Sequence, residues 1–357
     1  MNELISAPPT FGSDDEAELR ASIRKAVPTD TFQPAPARYA WFLVLQGLIW
    51  GGFALILFGG LPWWANLLVA LVIGHTFGAQ GFLAHEVLHG ALGGPQWLRT
   101  LVAWLGFGPF LVPPSFWHRW HNNAHHGHTN EQDRDPDNFG TVRRYLKNPA
   151  AAKFLKLAPG SGTWVSAFFF SYSFMLHAQV VLWLQAKHRR EFDGFNRPLA
   201  LVHVLACAAV WLALALCSGW LAVFTVLVPL LFANTLVQSY ILTNHFLRPM
   251  SVSNNPVDNA MSLRVPAWLD GLHFRFSHHV EHHLFPAMPS HRAPRVRAWL
   301  RANLPRRYVC PPQVKAIAWL YRTPRVYADA VTLVDLEKPS RRVDLLALHE
   351  ELISASQ

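Results

Sequence analysis

From Tyr39 to Ala84 the chain carries no Lys, Arg, Asp or Glu, and the stretch is split near Gly59-Gly60-Leu61-Pro62. Gly and Pro at that point supply a turn. The pattern therefore predicts two helices of about 20 residues each, the length that crosses the hydrocarbon core of a bilayer. A second uncharged stretch runs from Pro198 to Leu247, breaks near Cys217-Ser218-Gly219, and predicts a second hairpin of the same kind. Two further apolar segments are ambiguous by length. Trp97 to Pro113 is short and ends in Pro113-Pro114, and Thr163 to Leu184 carries Ser166, Ser171, His177 and Gln179.

The placement of charge decides how these segments are used. The tight bends at 59–62 and 217–219 contain no Lys or Arg, whereas the N-terminus, residues 119–197 and everything after His245 are rich in both. The positive-inside rule puts those basic parts in the cytoplasm. Residues 85–89 and 118–126 share that side only if 97–113 does not cross. The region from 163 to 245 must likewise cross an even number of times, so Thr163 to Leu184 is expected to lie in the interface or to dip in and return. The expected fold is an all-α integral membrane protein with about four transmembrane helices as two hairpins, interfacial helices and a cytoplasmic histidine-rich cap. Its divisions are a cytoplasmic lead-in over 1–38, a membrane domain over 39–310 and a cytoplasmic C-terminal tail over 311–357, with the chain from about Arg292 onward reading as a soluble cap. Ser13-Asp14-Asp15-Glu16 has the form of a capping box, so a short amphipathic helix, interfacial or facing solvent, is expected over Ala17 to Val27 before Pro28 stops it. The first 38 residues lack the apolar core and cleavage site of a signal peptide.

Composition agrees with a membrane protein: 51% of the 357 residues are hydrophobic and 15% charged, against roughly 25% charged in ordinary soluble domains. Three cysteines, Cys207, Cys217 and Cys310, have no CxxC spacing and make neither a disulfide framework nor a thiolate metal site. The formal charge of +9 falls in segments flanking the uncharged stretches and forms no nucleic-acid signature. It orients the chain against anionic lipid, and no nucleic-acid partner is expected.

The 19 histidines change the picture most. In His85-Glu86-Val87-Leu88-His89, a spacing of four on a helix continuing from the second span puts both imidazoles on one face, one turn apart. In His121-Asn122-Asn123-Ala124-His125-His126, spacings of four and five reach one face and its edge, within range of two adjacent ions. His118 and His128 flank that group as polar neighbours. His279-Val280-Glu281-His282-His283 is the third group, preceded by His278. His245 stands alone at the cytoplasmic end of the last span and is a plausible ninth ligand. A solvated histidine-rich face is the bland alternative, but three such groups by chance are very improbable, and neutral imidazole is a preferred ligand of iron and zinc. One zinc ion needs three or four protein ligands, whereas eight or nine imidazoles suffice for two ions, each left with an open position. Glu86, Asp270 and Glu281 lie in or near the clusters, either to accept the second ring N–H of a ligand or simply exposed. Asp133, Asp135 and Asp137 lack the Gly and closing Glu of an EF-hand loop and are assigned to orienting or loop-capping roles.

These boxes resemble those of the membrane fatty acid desaturase family: an HxxxH box, an H-x(2 or 3)-HH box and a final [HQ]-xx-HH box, in order and between the right hairpins, over roughly residues 25 to 310. His245 matches an extra ligand position of that family, and His282-His283-Leu284-Phe285-Pro286 followed by Met288-Pro289 is similar to its stretch after the third box. The resemblance implies a diiron centre held by His85, His89, His121, His125, His126, His245, His279, His282 and His283, dioxygen as oxidant, and an acyl-lipid or acyl-CoA substrate whose chain enters a narrow apolar tunnel. Ile23 to Pro28 with Phe32 is similar to the start of enzymes acting toward the methyl end. The three residues between His121 and His125 are instead similar to the front-end group, although His279 stands where those enzymes carry Gln. No His-Pro-Gly-Gly motif of a fused cytochrome b5 is present, so a separate donor of ferredoxin or cytochrome b5 type is expected.

Three rivals share parts of this pattern. Hydroxylases and ketolases of the same superfamily use the same centre. An intramembrane zinc protease would use His85-Glu86-Val87-Leu88-His89 as HExxH, with Glu86 as general base and Asp270 of Trp268-Leu269-Asp270-Gly271 as third ligand. It leaves the other two boxes unexplained. A metal carrier should line a path through the spans with histidine, and the spans hold only His75 and His203. Trp63, Trp64, Phe77, Gly78 and Gly81 are candidates for shaping the tunnel, or else bilayer anchors and helix-packing positions.

Overall fold

The computed structural model describes residues 16–250 and 254–357. Ser13, Asp14 and Asp15 of the expected capping box lie outside them. The helix that follows does form, as α1 over Glu16–Ala26, and it ends before Pro28. Leu19, Ile23 and Val27, four residues apart, are buried in one apolar cluster with Val280, Leu284, Val296 and Leu300. The helix is amphipathic as expected: its apolar stripe is docked beneath the third histidine box, and Glu18, Ser22, Arg24 and Lys25 are exposed on the other face.

The first hairpin consists of α2 (Ala40–Phe58) and α3 (Trp63–Leu88), with Gly59 to Pro62 as the turn. The second pairs the helices Arg197–Ser218 and Val228–His245 through short 3-10 and π turns. The first break falls at Gly59, Gly60 and Pro62 and the second at Gly219, where the sequence interrupts the apolar runs. Close approach explains how α3 lies on the last span: a Cβ at Gly74 would sit 2.8 Å from the Pro229 carbonyl oxygen, and one at Gly78 2.7 Å from Leu236 Cδ2. Small residues let helices pack this tightly where no water drives them together. The Gly106 backbone of α4 (Gln96–Phe107) is held against Ala84 in the same way, its would-be Cβ only 2.2 Å from Ala84 Cβ.

Among the described residues, five helices are long and apolar enough to cross a membrane: Pro36–Phe58, Trp63–Leu88, Trp164–His188, Arg197–Leu221 and Val223–His245. Only 6% of the most apolar stretch of Arg197–Leu221 is buried. An apolar surface of that extent is stable only in lipid. α4, at 12 residues, is about 18 Å long and falls short of the bilayer core. The segment expected to lie in the interface or to dip in and return is one continuous helix, Trp164–His188, long and apolar enough to cross. Its middle passes from α to π geometry at Val181–Gln185 without a break.

The chain after the third box is a folded layer. Helices Ala293–Asn303, Gln313–Arg322 and Leu345–Ser356 surround a small antiparallel sheet of β1 (Val326–Tyr327), β2 (Thr332–Val334) and β3 (Arg342–Asp344), in the order β1-β2-β3. The sheet is an addition to the expected all-helical fold. Leu320, Leu333, Leu345 and Leu352 are fully buried in the same core cluster as the spans. The Arg248 guanidinium at the end of the last span donates to His349 Nδ1 (2.8 Å), and Tyr327 donates to the Arg248 carbonyl (2.7 Å).

Candidate metal centre

Each box is set by a different local geometry. His85 lies in the last turn of α3, and His89 caps it through the bond from its N–H to the His85 carbonyl (3.2 Å). The second box is a π-helix, His118–His125, and the His126 N–H reaches back five residues to His121 (2.9 Å). The wider turn stacks positions five apart, so His121 and His126 share one face while His125 points elsewhere. In the short helix His279–Leu284, His279 and His283 share a face and His282 faces away. His245 is the last residue of its span.

Tertiary packing sorts these nine side chains into two sets. His85, His89, His121, His126 and His282 form one, and His125, His245, His279 and His283 the other; within each, the nitrogens lie within 4.8 Å of one another. The sets touch where the His126 and His283 rings stack at 4.0 Å. Ring nitrogens meet at 2.9 Å (His85 and His121), 3.1 Å (His121 and His126), 3.3 Å (His126 and His282) and 2.6 Å (His245 and His279), all through Nε2. Nε2 of His89 and of His283 are buried with no hydrogen-bond partner among the described residues. Converging lone pairs of this kind fit divalent metal ions bound by imidazole.

Electrostatics keep the donors neutral. Burial, followed by repulsion from neighbouring histidines, holds His89, His121, His126, His279 and His283 well below the usual imidazole value of 6.5, and His282 at about 3. His125 is the exception. Burial again opposes its charge, but Asp135 and Asp137 outweigh that effect and raise its pKa. Their carboxylates lie 3.1 Å and 3.3 Å from His125 Nδ1, which leaves Nε2 to face its set. Asp135 also accepts the backbone N–H groups of Asn130 (2.7 Å) and Asp137 (3.0 Å), so one side chain both caps the loop and orients the imidazole. Asp137 accepts from His177 and from Trp120, each at 2.8 Å. Burial would raise its pKa, but the His177 hydrogen bond and the nearby histidines hold it down to about 2. Asp133 takes no part in the centre.

Glu86, Asp270 and Glu281 are not the outer partners of the nine histidines. Glu86 accepts from Arg38 (2.7 Å), from the Ser290 N–H (3.0 Å) and from its hydroxyl (2.5 Å). Asp270 faces His278 at 3.6 Å, and Glu281 accepts from Arg297 (2.9 Å), Tyr308 (2.6 Å) and Ser262 (2.5 Å). For Glu86 and Glu281 the reason is directional: a carboxylate one residue along a helix from a ligand points about 100° away from it. Glu86 tied to Arg38 and Ser290 cannot serve as a protease general base, and Asp270 is not among the side chains gathered with His85 and His89. Sequence reasoning missed Thr129, whose hydroxyl donates to the His125 carbonyl (2.8 Å) and lies 3.4 Å from His283 Nδ1. Its spacing of four from His125 was the available signal. His118 is exposed, and His128 pairs with Glu131 (2.9 Å) and Glu191 (3.4 Å) outside the centre.

Asp135→Asn is expected to lower metal occupancy or activity by about 10- to 100-fold, the usual cost of losing the partner that orients a ligating histidine. Metal analysis of the purified variant, with an assay of its activity, checks this; unchanged values in both would show that His125 is oriented without Asp135.

A cavity of about 640 Å³ reaches the centre, within the roughly 300–1,000 Å³ range of small-molecule pockets. His85, His121, His125, His245 and His279 line one end, so both sets face it, and Phe107, Phe110, Trp120, Phe174, Val237 and Leu242 form apolar walls. Of the five candidate tunnel residues only Gly81 lines it. Trp63 and Trp64 are exposed at the opposite end of α3, Phe77 packs edge-on against Trp211 (5.6 Å) and Gly78 receives Leu236.

Comparison with known proteins agrees with this site. Two similar proteins are sn-1 oleoyl-lipid 12-desaturases, from Synechocystis sp. (24% identical, spanning 79% of this chain and 81% of the relative) and from Picosynechococcus sp. (25%, spanning 79% and 82%). An sn-1 acyl-lipid omega-3 desaturase (ferredoxin) of Synechocystis is 30% identical over 32% of this chain and 31% of its own length. Residues 62–311, which contain all nine clustered histidines, match the family model described as fatty acid desaturase, and the chain belongs to that family of membrane oxidoreductases.

Proposed function

We propose that this chain places a double bond in an acyl chain of a membrane lipid, with one iron among His85, His89, His121, His126 and His282 and a second among His125, His245, His279 and His283. The observation that carries the reading is the convergence of nine imidazoles, in sets of five and four, at the end of an apolar cavity. When bound, the metal pair supplies, with dioxygen, two electrons and two protons, the oxidising chemistry that takes a hydrogen from each of two adjacent methylenes and leaves an alkene and two waters. The protein's part is placement. The aromatic walls exclude water and hold the chain in register against the centre, and Asp135 and Asp137 fix His125 in the tautomer that presents Nε2. The two oleoyl-lipid 12-desaturases, matched over about four fifths of their lengths, support an oleoyl lipid as substrate. The relative whose name includes ferredoxin supports a donor of that type.

The same geometry supports four crossings. His125 and His245 belong to one set, so the chain between them crosses an even number of times. Arg197–Leu221 and Val223–His245 account for two. Trp164–His188 is then held along the interface at the membrane face that carries the centre, by His177 on Asp137 and by Gln179 on the Leu111 carbonyl (3.0 Å). The basic segments support a cytoplasmic position for the centre and the C-terminal layer.

The test is the fatty-acid profile, by gas chromatography and mass spectrometry, of a bacterial host expressing the chain with a ferredoxin and supplied with oleate. A new doubly unsaturated chain that vanishes in His282→Ala is the expected result. A hydroxylated chain in its place would overturn the reading in favour of oxygen insertion, and one zinc per chain would overturn the iron assignment.

A further inference from the structure

One part of the cavity wall has a different chemistry from the histidines. Arg144, Tyr145, Asn148, Ala151, Phe154 and Leu155 wall it, and they belong to a stretch, residues 138–190, with no Asp or Glu at all. Arg144 makes no ion pair or side-chain hydrogen bond among the described residues. Lys147 and Lys153, on the same segment, likewise have no salt bridge among those residues. Asp137 lines the same cavity but forms no ion pair with Arg144 and is held instead by His177 and Trp120, so the guanidinium is left to attract an anion.

The source of the anion is indicated by what surrounds the opening. Phe154 and Leu184 both line the cavity and are exposed, at 69% and 58%, so it opens sideways between residues 144–157 and the Trp164–His188 helix. Leu146, Trp164 and Phe168 are exposed beside it. Exposed aromatic and aliphatic side chains alternating with Arg and Lys belong at the boundary between headgroups and acyl chains. An acyl chain drawn sideways out of a leaflet would therefore leave its own headgroup at the level of Arg144.

We propose that Arg144 anchors the anionic headgroup of a bilayer lipid whose acyl chain occupies the cavity, and so selects lipids by headgroup charge. The inference rests on the desaturase reading for the fate of the chain, but not for the binding itself. Arg144 is a positioning residue: it touches the headgroup and not the reacting carbons. Acyl-CoA carries the same phosphate chemistry, but it would arrive from water and would not need the apolar rim.

The test uses the full chain in nanodiscs, as wild type, Arg144→Gln, Arg144→Lys and, as a distant control, the exposed Arg342→Gln. Retention of oleoyl phosphatidylglycerol, of a neutral oleoyl galactolipid and of oleoyl-CoA is measured by native mass spectrometry, and turnover is measured on each. Expected are about tenfold weaker retention and a correspondingly higher KM for phosphatidylglycerol in Arg144→Gln, with kcat unchanged, rescue by Arg144→Lys, and no change for the galactolipid or in the control. Equal losses on the charged and neutral lipids, or no loss on either, would overturn the anchor. Tighter retention of oleoyl-CoA than of phosphatidylglycerol, lost in Arg144→Gln, would overturn the bilayer lipid as the source. Failure to form an alkene on any carrier would refute the desaturase reading alone, because retention still decides the role of Arg144.

Discussion

Replacing His245 by Ala is expected to abolish double-bond formation and to remove about half of the bound iron, as read by gas chromatography of the lipids and by metal analysis of the purified protein. His245 belongs to no histidine box, yet its Nε2 meets that of His279 at 2.6 Å and its ring packs at 4.7 Å from His125 and 5.1 Å from His283. Without it the smaller set is reduced to three donors, while the five-membered set is untouched. Loss of a direct ligand should cost more than the 10- to 100-fold typical of losing an outer partner. His203→Ala, which removes a histidine of the neighbouring span that packs on Trp104 (4.8 Å), is expected to keep both iron and activity. If His245→Ala retained full iron and full activity, His245 would be a buried helix-end histidine and nothing more.

The second large effect concerns the support of the third box. Arg297→Ala is expected to destabilise the folded protein by about 3–5 kcal/mol, the range for removing one partner of a buried ion pair, measured as thermal or denaturant unfolding in detergent. Glu281 lies between His279 and His282, is wholly buried, and relies on Arg297, Tyr308 and Ser262. Removing Arg297 leaves a carboxylate without its counter-charge in the interior. The double variant Arg297→Met with Glu281→Gln should recover much of the loss, because it leaves no uncompensated charge. Burial would raise the Glu281 pKa, but Arg297, His278 and the two hydroxyls overcome it and hold it below the ordinary 4.5. Its contribution to stability is therefore fully present above about pH 4.5 and is lost as pH falls below 4.5 through the lowered folded-state value. An Arg297→Ala protein as stable as wild type at pH 7 would mean that the hydroxyls alone satisfy the carboxylate.

The outer support of the centre shows why part of the site was not legible beforehand. Glu86 and Glu281 sit inside histidine boxes and invited assignment to the imidazoles, yet both point outward to arginines some distance along the chain, Arg38 and Arg297. Asp135 and Asp137 read as orienting or loop-capping residues without a partner that could be named, and the turn past the second box folds back to put them on His125. Loop conformation sets such pairs, and residue spacing carries no record of it. The Thr163 to Leu184 segment is ambiguous for a related reason: apolar length is the same for a helix across a bilayer and for one lying against it.

What the sequence determined by itself was everything that depends on neighbours a few residues apart. The uncharged runs and their Gly and Pro breaks placed the two hairpins to within a few residues of Ala40–Phe58, Trp63–Leu88, Arg197–Ser218 and Val228–His245. The spacing of the boxes singled out eight of the nine histidines that the structure gathers, and the position of His245 at the end of the last span supplied the ninth. Only the tertiary structure decided how they divide into five and four, because His282 joins His85 while its neighbour His283 joins His125, and that division depends on how four separate segments meet. It also decided that Leu19 and Ile23 are buried under the third box and that the C-terminal layer shares the core of the spans. Burial of this kind is an outcome of contacts hundreds of residues apart, which local pattern cannot encode.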